Sequence, residues 1–199
     1  MSVLLAGTLI ACDDQANGVE TGSAVGSAPA GATPSFAADT IPSPFISPDL
    51  SDANIVALFD HASDAAGSAG ALASQKATNP QVKKFALMMM ADHHRLRKRG
   101  MDLASKLAVT LQPSPDDPIT PLAHREMDAL EAAERGLDFD RTYIRHEIAA
   151  HQTVLDLVDQ AHELAGNAEL KALIEQARPV IERHLKQARA LEQALGAPA

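Results

Sequence analysis

Three long segments of this chain repeat apolar residues every three or four positions, and in each the series is interrupted once by a histidine. The first runs Val82, Phe85, Met89, His93, Leu96, Leu103, Leu107; the second Ile144, Ile148, His151, Leu155, Val158; the third Leu170, Ile174, Ala177, Ile181, His184, Ala188, Leu191, Leu195. Steps of three and four bring side chains onto one face of an α-helix, and an apolar face has to be covered. Three such faces require helix to pack on helix, and the histidines go inward with them. A single histidine so placed is usually a satisfied core residue. Three on three segments predict imidazoles converging inside a helical bundle, where metal and cofactor sites are built. Two readings fit the pattern: a site for one divalent ion (zinc, copper or iron), or a buried polar layer that fixes the register of the helices.

Breakers divide the chain into the elements that carry these stripes. Pro48-Asp49-Leu50-Ser51-Asp52 supplies helix-start residues for a first helix over Ser51 to about Thr78, whose inward face is small: Val56, Phe59, Ser63, Ala66, Gly70, Ala73. Asn79-Pro80 ends it and opens a second helix reaching about Leu111. Pro113, Pro115, Pro118 and Pro121 mark a loop, followed by a short helix from about Pro121 to Arg135 that Gly136 terminates. A third long helix spans about Asp138 to Ala165 and stops at Gly166-Asn167; a fourth runs from about Ala168 to Leu195, with Pro179 expected to kink or break it. The fold class is therefore all-α: four long helices in an up-down bundle, with a long connection containing a short helix between the second and third. Such a crossover is found in ferritin-like bundles. Counting from the turns, His93 lies thirteen residues after Pro80, and His151 and His184 lie fifteen and eighteen from Gly166. At about 1.5 Å per residue the three rings share one layer, and the first helix offers only Ala66 there.

Composition narrows the possible partners. With 3% aromatic residues and no Trp, the core must be built from Leu, Ile, Val, Ala and Met. A net charge of −9 argues against a nucleic-acid surface and against basic-patch binding to anionic lipid. The one cluster of cations, Arg95, Arg97, Lys98 and Arg99, reads as a solvated helix face. The lone Cys12 excludes an internal disulfide and a thiolate-rich metal site. It closes the apolar run Val3 to Ala11, and Leu9-Ile10-Ala11-Cys12 resembles a bacterial lipoprotein lipobox, although Met1-Ser2-Val3 lacks the usual basic residues. That resemblance implies a signal segment 1–12, lipidation at Cys12, and a membrane anchor on the periplasmic side of the envelope. Residues 13–50, rich in Gly, Ser, Ala, Thr and Pro, are expected to form a flexible tether to a domain over 51–199.

The chemistry-bearing motifs are few. Glu147 and His151 are four apart, so the carboxylate is expected either to join the metal ligands, to orient the imidazole, or to lie on the surface. A di-iron carboxylate centre needs Glu-x-x-His on two helices, and the chain has none; Asp159-Gln160-Ala161-His162 has the spacing but stands alone. Met88-Met89-Met90 with His93-His94 and Met101 has donors that suit copper, though methionine also fills gaps in aromatic-poor cores. His61, His94, His124 and His146 fall off the stripes and are expected at the surface. No nucleophile elbow, phosphate loop or Cys-x-x-Cys occurs and no catalytic constellation is expected, so a non-catalytic metal-holding bundle leads, a structural or partner-binding bundle without metal is the alternative, and a metal-dependent oxidase stands third.

Phe85-Ala86-x-x-Met89-x-x-Asp92-His93, Gly136-x-x-Phe139-Asp140-x-x-Tyr143, His151 and Pro179-x-x-x-x-His184 together resemble the bacterial domain-of-unknown-function family 4142. The resemblance spans about Ser51 to Leu195 and implies a secreted or envelope protein with a ferritin-like bundle, in which His93, His151 and His184 are the characteristic histidines. It marks Asp92, Phe139, Asp140, Tyr143 and Pro179 as motif residues. The family usually carries a Glu on its first helix near the level of Ala66 or Ser68, where this chain has none.

Overall fold

The computed structural model describes residues 47–114 and 116–196. Cys12, the segment 1–12 and most of the expected tether, including Phe36, Ile41, Phe45 and Ile46, lie outside the described residues. Five helices follow one another, with no strand among the described residues: α1 (Asp52–Lys76), α2 (Pro80–Lys106), α3 (Ile119–Ala132), α4 (Leu137–Leu164) and α5 (Ala168–Gly196). No helix here is long and apolar enough to cross a membrane.

Local chemistry sets the boundaries. Ser51 and Asn54 close a capping box on α1, and the Asn54 amide also donates to the carbonyls of Gln112 and Pro113, tying the crossover loop to that end. Asn79 caps α2 through the backbone N–H groups of Gln81 and Val82, with Pro80 at the first helical position. Asp117 accepts from Ile119 N at the start of α3, and Asn167 caps α5.

The second helix ends at Lys106, about one turn before the Leu111 expected from the sequence. After Leu107 the chain turns at Ala108 with φ of 52°, and Val109 N reaches back to Ala104 O at 2.9 Å while Ala108 N donates to Ser105 O at 3.2 Å. That is the hydrogen-bond pattern of a Schellman cap, here with alanine in the left-handed position where glycine is usual. Pro179 does not break α5, which is helical from Ala168 to Gly196. The proline is exposed, and so is Glu175, whose carbonyl it deprives of a donor, so water can take the place of the lost bond.

The three-residue links Ala77–Asn79 and Ala165–Asn167 fold α1 with α2 and α4 with α5 into two hairpins, while α3 lies against α1 and α4. Each hairpin turn is gripped by an aspartate from the first turn of a helix in the other hairpin. Asp140 of α4 accepts from Thr78 N, Thr78 Oγ1 and Asn79 N at 2.8–2.9 Å, and Asp52 of α1 accepts from Gly166 N and Asn167 N at 2.8 and 3.0 Å. Close approach is needed at Gly70, where a Cβ would fall 2.9 Å from Ala86 O of α2, and at Gly100, where it would fall 2.9 Å from the Phe59 ring of α1.

The interior is divided. One apolar cluster joins Ile55, Val56, Leu58, Leu96, Leu157, Leu173 and Ile174; the other joins Ala73, Val82, Phe85, Met89, Phe139, Ile144 and Ala188. All four long helices pass from one cluster to the other, and at the crossing each carries a polar residue: Ser63, His93, His151 with Glu147, and His184. The site occupies this seam.

Candidate metal centre

His93 of α2, His151 of α4 and His184 of α5 are 6%, 3% and 0% exposed, and one ring nitrogen from each lies within 4.8 Å of the others. Ring centroids are 5.2–5.6 Å apart. The convergence follows from the sequence: each histidine sits at an inward stripe position, and the two hairpin turns set the three levels equal.

Two of the rings are oriented from behind. His151 Nδ1 donates to the backbone carbonyl of Glu147 at 2.8 Å, and the Glu147 carboxylate lies 3.3 Å from the same nitrogen. His184 Nε2 donates to Asp92 Oδ2 at 2.8 Å, and Asp92 is itself held by Arg183 at 2.8 Å and by Arg95. A carbonyl and a carboxylate only accept, so these bonds fix the tautomers and leave lone pairs on His151 Nε2 and His184 Nδ1. Both atoms are buried without a partner, as are both nitrogens of His93. Burial, then the two neighbouring imidazoles, pushes His93 well below the ordinary imidazole range. Burial also lowers His184, with Asp92 pulling the other way. Asp92 is held low by its bonds to His184 and Arg183, although burial opposes this. Neutral imidazoles are the form that binds metal.

The geometry can be tested against an ion. With metal–nitrogen bonds of about 2.0–2.1 Å, tetrahedral ligands stand about 3.4 Å apart. Nitrogens no more than 4.8 Å apart would each move inward by at most about 0.8 Å. Donor type, protonation, burial and second-contact orientation all fit one borderline or soft-leaning divalent ion.

Glu147 is 1% exposed, which removes the surface reading, and its carboxylate lies beside the Nδ1 of His151. The converging trio is histidine alone, so Glu147 stands with the orienting groups. Tyr143 is fully buried beside Glu147 and 6.1 Å from the Phe85 ring, its hydroxyl pushed well above the ordinary range by burial and then by that carboxylate. Phe139 packs under Lys76, whose ammonium stands 5.1 Å from the ring centroid and donates to the carbonyls of Leu130 and Glu131. Phe139 lies in the apolar core and Asp140 clamps the α1–α2 turn, while Pro179 is exposed on α5. Met89 is core one turn before His93, while Met101 and His94 are exposed. Outside the trio, His61 pairs with Asp117 at 3.0 Å, His162 with Glu175 at 3.0 Å, His124 is exposed and His146 is half-buried.

Glu126 of α3 belongs to the site and is not in the three stripes. It is 5% exposed, its Oε1 has no hydrogen-bond partner, and burial followed by the Glu147 carboxylate pushes its pKa well up. The sequence carried a signal for it: Ile119, Leu122, Glu126, Leu130 and Ala133 repeat at helical spacing with one acid inside, as the long helices do with histidine. Glu126, Glu147, His93 and His151 share the wall of a cavity of about 90 Å³ whose lining is otherwise almost wholly apolar.

Comparison with known proteins gives a family and a fold. The family model Domain of unknown function (DUF4142) matches residues 39–191. Among solved structures, one described as CopM in the Cu(II)-bound form matches with a TM-score of 0.56 and 24% sequence identity, over 73% of this chain and 98% of that one. At this identity the likeness shows a common helical fold. No curated protein matches the chain.

Proposed function

The chain belongs to the family described as domain of unknown function DUF4142, and we propose that its bundle, ferritin-like in arrangement, is an envelope-tethered, non-catalytic holder of one divalent metal ion between His93, His151 and His184. The observation that carries the reading is the set of buried lone pairs without partners, on rings whose other nitrogens, at His151 and His184, are already committed. Buried polar atoms are nearly always satisfied, and each unsatisfied one costs about 1–3 kcal/mol. An ion at their centre would satisfy three at once. Copper is the first ion to try: Cu²⁺ heads the divalent affinity series for nitrogen donors, and the solved structural neighbour is described as a Cu(II)-bound form.

Titration of chelator-treated protein with Cu²⁺ and Zn²⁺ tests this. One ion per chain should bind, and the melting temperature should rise with metal concentration, since binding favours the folded state by mass action. His93→Ala, His151→Ala and His184→Ala should each abolish the rise, and His61→Ala should leave it intact. The alternative, a polar layer that only fixes packing, draws on the His184–Asp92–Arg183 network. It predicts that each change lowers apo-protein stability by about 1–3 kcal/mol with no metal dependence.

Tethering rests on Leu9-Ile10-Ala11-Cys12. Intact mass of membrane-extracted protein should show loss of residues 1–11 and added acyl chains on Cys12; an unmodified product beginning upstream refutes it.

A further inference from the structure

A neutral imidazole that gives its lone pair to a metal keeps one N–H, and away from water that N–H needs an acceptor. His151 donates to the Glu147 carbonyl and His184 to Asp92. His93 has no such bond, and both of its nitrogens are buried without a partner. The nearby acids on α2 and α4 are already engaged: Asp92 by His184, Arg183 and Arg95, and Glu147 Oε2 against His151. One buried acid is left over. Glu126 of α3 forms no hydrogen bond or ion pair with any described residue, and its Oε1 is shut away from solvent. Buried polar groups are nearly always paired, directly or through an ordered water, because each one left alone is costly.

This spare donor and spare acceptor line the same cavity of about 90 Å³, and Glu147, whose Oε1 is also without a partner, lines it with them. An ordered water needs space of about 10–15 Å³ and two to four polar partners. The cavity offers the space, and His93, Glu126 and Glu147 offer the partners. We propose that Glu126 is a positioning residue for the metal centre: through a water held in the cavity it accepts the N–H of His93, so that α3 orients the third imidazole as α4 and α2 orient the other two. The inference rests on the metal reading above. It accounts for an acid kept at a place where burial and the Glu147 carboxylate both oppose its charge.

The test uses the full chain and Cu²⁺. Competition against a chelator gives affinity, and pulsed electron paramagnetic resonance reads the remote nitrogen of each copper-bound imidazole, whose coupling responds to its hydrogen bond. Glu126→Leu should weaken copper binding about 10–100-fold, the loss that follows removal of a ligand's partner, and shift the remote-nitrogen coupling. The same variant without metal should melt no lower than wild type, because Glu126 has no bond to lose there and a buried unpaired acid is removed. Glu126→Gln, whose amide oxygen still accepts, should keep the coupling and bind copper within about threefold of wild type. Glu126→Met replaces Glu126→Leu if the latter does not fold. Copper affinity in the apolar variant within about threefold of wild type, an unchanged coupling, or equal weakening by glutamine and leucine overturns the proposal. If the wild-type chain takes up no copper, the metal reading falls and this one with it. Uptake that depends on the three histidines and not on Glu126 removes this one alone.

Discussion

Replacing Asp92 by alanine separates what the carboxylate does for the fold from what it does for the site. Its Oδ2 receives the Nε2 proton of fully buried His184 at 2.8 Å. A charge-assisted bond of this kind contributes about 1.5–3 kcal/mol, and truncation also strands the imidazole N–H away from water. The ion pairs with Arg183 and Arg95 add little, because those side chains are 48% and 67% exposed. Asp92→Ala should therefore destabilise the metal-free protein by about 2–4 kcal/mol. In a domain of this size each kcal/mol lowers the melting temperature by about 2–4 °C, so a fall of about 4–16 °C is expected. The second consequence concerns affinity. Without Asp92 nothing holds the proton on Nε2 or fixes the ring, and loss of such a partner weakens metal binding about 10–100-fold. Asp92→Asn, whose amide oxygen still accepts from Nε2, should fall between wild type and Asp92→Ala in both respects. Thermal melting in chelator gives the first quantity, and competition against a chelator of known affinity gives the second. Lowered stability with unchanged metal affinity would refute the orienting role.

Asp140→Ala, which frees two backbone N–H groups and the Thr78 hydroxyl at the α1–α2 turn, should cost about 2–3 kcal/mol in denaturant unfolding and leave metal affinity unchanged. Gly70→Ala should destabilise by about 1–3 kcal/mol, because the obstructing atom is the backbone oxygen of Ala86. Ala108→Gly should stabilise by about 0.5–1 kcal/mol in the same assay by relieving the left-handed alanine; a loss of stability would contradict the cap geometry. Burial lowers the folded-state pKa of His93 and His184, so their contribution is complete above the unfolded value of about 6.5 and is lost as pH falls below it, where the unfolded chain takes up protons first. Chelator-treated protein should melt progressively lower from pH 6.5 to pH 5, and a melting temperature independent of pH over that range would argue that these rings are not held neutral.

The stripes revealed most of the architecture because helical periodicity and burial are the same physical fact. His93, His151 and His184 were visible as polar interruptions of apolar series, and their common level followed from counting back to turns marked by Asn79-Pro80 and Gly166-Asn167. What stayed hidden had other causes. The spacing of Ile119, Leu122, Leu130 and Ala133 puts Glu126 on an inward face of α3, but which groups it meets there depends on how α3 lies across α1 and α4, which local pattern does not specify. The end of α2 was missed because the chain turns left-handed at Ala108, and alanine announces no such turn. Pro179 signalled a break that exposure renders unnecessary. Asp92 and Asp140 were visible only as family residues; that one orients a histidine and the other clamps a turn depends on partners more than sixty positions away in sequence.

The central claim is that the three imidazoles hold one ion together. X-ray absorption at the copper edge of the loaded chain tests it most directly. The account predicts three imidazole nitrogens at about 2.0 Å in the first coordination sphere, a signature lost with the ion itself in His93→Ala. A sphere of oxygen donors with one imidazole or none, unchanged in the His93, His151 and His184 variants, would place the ion elsewhere and contradict it.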